Sequence, residues 1–201
     1  MDWNNNIGYA VGLITTDGNL SKDGRHIIFV SKDISLVNSF KKCLKLKNKV
    51  SVKTSGYSKG TGRYYFIQFG NVNFYRKLLS IGLFPNKSKN ISKLLIPKRY
   101  FADFLRGHLD GDGTIRCYND PVYPNSRRLY ITFISASLSH IKWLQSQIKK
   151  FYGIVGRIRA IPRAWALVYA KNASISLLHK IYYKRDLPCL CRKKRIVEDY
   201  L

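Results

Sequence analysis

Ala10-Val11-Gly12-Leu13-Ile14-Thr15-Thr16-Asp17-Gly18 returns 95 residues later as Leu105-Arg106-Gly107-His108-Leu109-Asp110-Gly111-Asp112-Gly113. Each copy reads as an apolar helix with a small residue in mid-course and an Asp-Gly end, followed by a polar and an aliphatic residue (Asn19-Leu20, Thr114-Ile115). One Asp at a helix end is unremarkable, whereas two matched ones can converge on a single site. Gly12 and Thr16 lie four apart, as do Gly107 and Gly111, so each helix carries a strip of small side chains on one face. Small residues let helix backbones approach closely. The two helices are therefore expected to pack side by side, with Asp17 and Asp112 together at their C-terminal ends, each followed by a glycine suited to a left-handed cap.

The sequence after each motif matches in order. His26 to Val30 and Leu129 to Ile134 read as strands, and each passes through a Ser/Asp-rich start signal into a helical pattern. Leu36, Val37, Phe40, Cys43 and Leu44 space the first of these helices; Leu138, Ile141, Leu144, Ile148 and Phe151 space the second. Two strands follow in each half, about Val50 to Tyr57 and Arg63 to Gly70 around the turn Ser58-Lys59-Gly60-Thr61-Gly62, then about Ile154 to Ile161 and Ala164 to Ala170 around Pro162-Arg163. Helices at about Val72 to Ile81 and Ala173 to Tyr183 close the halves. The expected architecture is a duplicated α+β αββαββα fold, with two antiparallel sheets flanking a central two-helix interface in pseudo-twofold symmetry. The halves are expected at 1–95 and 96–201.

With 36 Lys plus Arg against 11 Asp plus Glu, the 201-residue chain carries a net charge of +25. Residues 34–102 hold 15 basic side chains and no acid, and residues 121–185 hold 12 and no acid. A solvated face interleaves signs, so these stretches point to a polyanion, and nucleic acid fits better than anionic membrane because no segment joins a basic face to a long apolar helical face. The apolar content of 45% excludes a disordered tail. The sequence has no run long enough for a membrane span, no secretory signal at Met1-Asp2-Trp3, and four irregularly spaced cysteines that form neither a disulfide framework nor a CxxC pair. An intracellular, non-secreted protein is expected.

A carboxylate at a helix C-terminus faces the negative end of the dipole, and two such carboxylates also repel each other. The alternative for each Asp is a local turn hydrogen bond. In a chain so short of acids the matched pair argues for a divalent cation, and oxygen ligands beside a phosphate partner point to Mg²⁺.

These residues resemble the LAGLIDADG homing endonucleases of the two-motif, single-chain type, from about Ile7 to Tyr200, in repeat order as well as in the two nonapeptides. The resemblance implies a site-specific, intron-encoded double-strand DNA endonuclease working as a monomer without an obligate protein partner. In this family the eighth motif residue, here Asp17 and Asp112, binds metal and activates water, and the carbonyls of Thr16 and Gly111 add ligands. Two or three divalent ions are implied, with Ca²⁺ supporting binding without cleavage, and cuts staggered across the minor groove with 3′ overhangs. The segments Leu83 to Lys89 and Leu187 to Lys194 resemble the family's basic positions near the scissile phosphates; Lys87 and Lys193 are the catalytic choices, with Arg192 next. Either lysine could equally sit on a solvated or phosphate-contacting surface. Three residues depart from the pattern: Thr15 at the sixth position of the first motif, where the second has Asp110, and Arg106 and His108 at positions usually apolar. His108 is expected to be a partly buried helix residue with a local hydrogen bond.

Base recognition is expected from the sheets, because a two-stranded ribbon fits the major groove. Alternation places Lys53 with Ser51 and Ser55 on one face, Arg157 with Arg159 on another, and Arg128 with Tyr130 and Thr132 on a third. Arg63, Arg116, Arg127 and Arg163 fall at strand ends or turns, and Lys32 and Gln68 complete the candidates. The competing reading is a non-cleaving relative, an RNA maturase or a transcription regulator, which has no need to keep both acids. A protein-splicing host is disfavoured by the lack of an initial Cys or Ser and a terminal His-Asn, and a ribosomal or chromatin protein would not explain the repeated Asp-Gly ends.

Overall fold

The computed structural model describes residues 2–54 and 62–201. Its elements run α1 (Asn5–Asp17), β1 (Gly18–Leu20), β2 (His26–Ser31), α2 (Ile34–Cys43), β3 (Ser51–Thr54), β4 (Arg63–Gly70), α3 (Val72–Ser80), α4 (Phe101–Asp110), β5 (Thr114–Asn119), β6 (Arg127–Ser135), α5 (Leu138–Tyr152), β7 (Arg157–Ile161), β8 (Ala164–Tyr169), α6 (Lys171–Ile181) and α7 (Cys191–Arg195). The two antiparallel sheets have the same strand order, β1-β2-β4-β3 and β5-β6-β8-β7. The duplication read from the motifs therefore extends to topology.

Side-chain caps set most helix starts. Asn4, Asp33, Asn71 and Ser137 accept from the backbone amides of Ile7, Ser35, Phe74 and His140, each satisfying a donor the helix leaves open. Alternation sets the strands: in β4 Ile67 and Phe69 are buried while Gln68 is exposed, and in β6 Leu129, Ile131 and Phe133 are buried. Phe29 of β2 stacks on Phe40 of α2 with centroids 4.5 Å apart, and Phe101, Phe104, Trp143 and Phe151 form a matching aromatic cluster between α4 and α5.

Several expectations change. The turn at Ser58 to Thr61 and the strand beyond Thr54, with Ser55, lie outside the described residues. β7 begins at Arg157 and not at Ile154. Neither Asp-Gly end forms a left-handed cap: Gly18 is extended (φ −87°, ψ 149°), and Gly113 is not among the residues with positive φ. These glycines are needed for space instead, since a Cβ on Gly18 would lie 2.6 Å from Ile14 Cα and one on Gly113 would lie 2.7 Å from the Leu109 carbonyl oxygen. The chain thus leaves α1 directly into β1, and leaves α4 through the three residues Gly111 to Gly113 into β5. No helix among the described residues is long and apolar enough to cross a membrane, and all four cysteines are free.

Candidate active site

α1 and α4 meet backbone to backbone. A Cβ on Gly12 would lie 2.2 Å from the Phe104 carbonyl oxygen, and one on Gly107 would lie 2.1 Å from that of Tyr9. The same strip extends back to Gly8, where a Cβ would meet Asp103 and Tyr100 at 3.0–3.1 Å, and forward to Gly111, where it would strike Thr16 Oγ1 at 2.0 Å and Asp17 Oδ2 at 2.7 Å. This contact brings Asp17, the last residue of α1, beside the Gly111-Asp112-Gly113 turn.

Charge is poorly balanced where they meet. The Asp17 carboxyl is pushed up to about 6, first by burial and then by Asp112, against a hydrogen bond from Thr16 Oγ1 at 3.1 Å. Asp112 is raised as well, by loss of hydration among the surrounding protein, although its side chain reaches solvent. Lys87 and Lys193 act on both carboxylates and oppose the rise. Both lysines are buried, at 4% and 5% exposure, so neither sits on a solvated surface.

The two ammonium groups occupy equivalent places. Lys87 opens a 3₁₀ turn after Asn86, whose backbone is left-handed (φ 57°), and its Nζ donates to the carbonyl of Gly18. Lys193, in α7, donates to the carbonyls of Leu109, Asp110 and Gly113 at 2.6–2.8 Å, with a longer approach to Gly111 at 3.3 Å. Each ammonium thus meets the carbonyl that follows the key Asp, and Lys193 also meets the last carbonyls of α4, the negative end of that helix. Burial brings both lysines down to about 8, while the neighbouring carboxylates hold them up.

A second shell of buried polar side chains fixes the segment that carries Lys193. The Asp110 carboxylate accepts from Tyr9 Oη at 2.8 Å and from the Leu190 amide at 2.7 Å, one residue before α7. Arg106 is wholly buried; it pairs with Asp103 at 2.7 Å and donates to the carbonyls of Ile181 and Pro188, with its guanidinium over the Tyr9 ring. His108 is fully buried and bonds to His140 of α5 across 3.2 Å, a distant partner where a local one is expected. The three departures in the motifs therefore include two structural couplings, one to the C-terminal segment and one to α5. Asp103, Arg106, His108 and Asp110 are the charged and polar side chains of an otherwise apolar α4, and they were the sequence signal of this polar network. Arg192 bridges the halves instead, pairing with Asp33 at 3.0 Å at the edge of a cleft shared with Asp17, Lys32, Tyr64 and Gly111.

The oxygen-only donor set of Asp17, Asp112 and the nearby carbonyls suits a hard divalent cation, and both carboxyls stay raised by burial despite the two lysines beside them. Among the described residues no cluster of three or more His, Cys, Asp or Glu side chains forms a larger metal site.

The candidate binding residues fall mainly on the outer sheet faces. The register β3–β4–β2 places Lys53 opposite Tyr64 and Gln68 opposite Ile28, with Lys32 just past the end of β2. In the second sheet Arg116 faces Tyr130, Tyr118 faces Arg128, and Arg157 and Arg159 sit opposite Val168 and Ala166, so the two groups expected on separate faces share one. Arg63 alternates to the other side of β4 from Tyr64 and Gln68. Arg127 likewise turns away from Arg128 and pairs with Asp199 at 2.8 Å, beside the Tyr200 ring. Arg163 occupies the β7–β8 turn with φ 62°.

Neither a protein-family model nor a curated protein sequence matches the chain. Solved structures do. Full-length DUF199/WhiA from Thermatoga maritima aligns over the whole chain at 17% identity and TM-score 0.60, and a structure of the N-terminal LAGLIDADG domain of DUF199/WhiA over 96% at 18% and 0.60. The homing endonuclease I-WcaI bound to its DNA recognition sequence aligns over 97% of the chain and 88% of its own, at 11% identity and TM-score 0.66. The chain has the LAGLIDADG fold. A variant of I-DmoI in complex with its target DNA and in the presence of manganese also matches, at 16% identity and TM-score 0.56 over 92% of this chain and 96% of that one. The LAGLIDADG fold here spans 63% of full-length WhiA, so only the shared domain is compared.

Proposed function

We propose that the protein is a site-specific double-strand DNA endonuclease, acting as a monomer on one phosphodiester in each strand. The observation that carries this reading is the convergence of Asp17 and Asp112, both raised by burial and Asp17 also by its neighbour Asp112, beside two buried ammonium groups. Asp17 and Asp112, with the carbonyls of Thr16 and Gly111, would hold Mg²⁺. When bound, the cation supplies Lewis-acid polarisation of a phosphate and of the attacking water. Thr16 orients the Asp17 carboxylate through its hydroxyl. Lys87 and Lys193 stabilise the charge that grows on the phosphate in the transition state, from fixed positions that need no reorganisation. I-WcaI bound to its DNA recognition sequence and the I-DmoI variant in complex with its target DNA in the presence of manganese support the same partner and a divalent ion.

The test is cleavage of a randomised duplex library by the full chain with Mg²⁺, against Ca²⁺ or chelator. Cutting with Mg²⁺, retention without cutting in Ca²⁺, and loss of cutting in Asp17→Asn and Asp112→Asn with binding kept are the expected results. Double-strand cutting by the double variant would sink the assignment. One observation favours a second reading, a non-cleaving nucleic-acid-binding protein of the maturase or regulator kind: Lys193 already engages the carbonyls that close the second motif, including that of Gly111. DNA retained but never cut under any divalent ion selects that reading.

A further inference from the structure

The two outer sheet faces differ in chemistry. On the first, Ile28, Val30, Tyr64, Phe66 and Gln68 share a face, and the ammonium groups of Lys32 and Lys53 lie over the rings of Tyr64 and Phe66 at 5.3 and 6.0 Å. Arg63 is the arginine of this sheet's strands, and it points to the other side. The second face carries Arg116, Arg128, Arg157 and Arg159, with Tyr118 stacked on Tyr130 between them. Arg116, Arg157 and Arg159 are exposed and make no ion pair among the described residues. Arg128 is buttressed by Asp120, whose carboxylate is itself held by the amides of Val122 and Tyr123 at 2.9 and 3.3 Å.

In the major groove an arginine fork matches guanine O6 and N7, a glutamine amide matches adenine, and apolar atoms meet the thymine methyl. A lysine ammonium is a point charge without the fork and serves phosphates as readily. Resting on the DNA reading above, we infer that the target is lopsided in composition, with a guanine-rich half-site under the second sheet and an A·T-rich half-site under the first. Alternate side chains on a strand stand about 6.6 Å apart, close to two base-pair steps. Arg157 and Arg159 then select guanines about two base pairs apart.

Binding selection from duplexes randomised in both halves, using the full chain in Ca²⁺ so that cutting plays no part, tests this. The expected result is guanine enrichment confined to one half, with A·T enrichment in the other. Arg157→Ala and Arg159→Ala, both exposed changes, relax the guanine preference in that half alone by roughly 5- to 150-fold per position. Gln68→Ala relaxes only the other half. Two halves of equal composition, or arginine variants that weaken binding uniformly on every sequence, overturn the inference while leaving the endonuclease reading intact. Failure to retain duplex DNA at all overturns both.

Discussion

Asp17 stands where folding alone gives it no advantage. The folded protein keeps its proton up to about pH 6, whereas the unfolded chain releases it near 3.9, so the native state loses relative stability as pH rises between these values and does not regain it above. Asp17→Asn is therefore expected to stabilise the metal-free protein at pH 7 by about 1–2 kcal/mol, allowing for water at the cleft mouth, while cleavage is lost. Thermal unfolding of the two proteins in chelator measures this, and a variant no more stable than the parent counts against it. The lysines set the opposite limb. As Lys87 and Lys193 discharge at about pH 8, cleavage is expected to fall on the alkaline side, with its optimum between the carboxyl and ammonium limits. A pH–rate profile shows whether activity declines there. Arg106 is a different kind of residue: Arg106→Met leaves the buried Asp103 with no cationic partner and only the Tyr183 hydroxyl donating to it, and the expected cost is about 3–5 kcal/mol in denaturant unfolding.

At the scale of elements, the α1–α4 contact decides whether there is a site. Gly107→Val places side-chain atoms where the Tyr9 carbonyl already stands, so the helices must separate; we expect a loss of at least ~3 kcal/mol, or no folded protein, against a near-neutral Lys142→Ala on the exposed side of α5. Circular dichroism during thermal unfolding distinguishes these outcomes. The strip of small residues was legible as Gly12, Thr16, Gly107 and Gly111, because four-residue spacing fixes a helix face. Gly8, four residues before Gly12, falls on the same strip, but that it meets Asp103 and Tyr100 is settled only by how far α1 and α4 overlap. α7 escaped for another reason: Cys-Arg-Lys-Lys-Arg has no apolar period, and its turn is held from outside by the Asp110 bond to Leu190.

The whole molecule behaves as two sheets of matching topology on one two-helix axis, carrying a charge of +25. If six or more phosphates are neutralised, the affinity for duplex DNA is expected to fall with salt at a log–log slope of about −5 or steeper. Fluorescence anisotropy between low and physiological salt gives the slope, and a flat profile contradicts a DNA-binding function. Repeat order, fold class and the pairing of Asp17 with Asp112 were readable in the sequence, because motif repetition and periodicity are local and survive without coordinates, whereas Lys87 and Lys193 were chosen only through the family resemblance of their segments. Tertiary structure decided what sits beneath them. Both lysines prove to be buried against helix-end carbonyls, Arg106, His108 and Asp110 hold distant segments, and Arg127 spends its charge on Asp199. Each of these partners lies at least 32 residues away along the chain, and only packing chooses among partners at such separations.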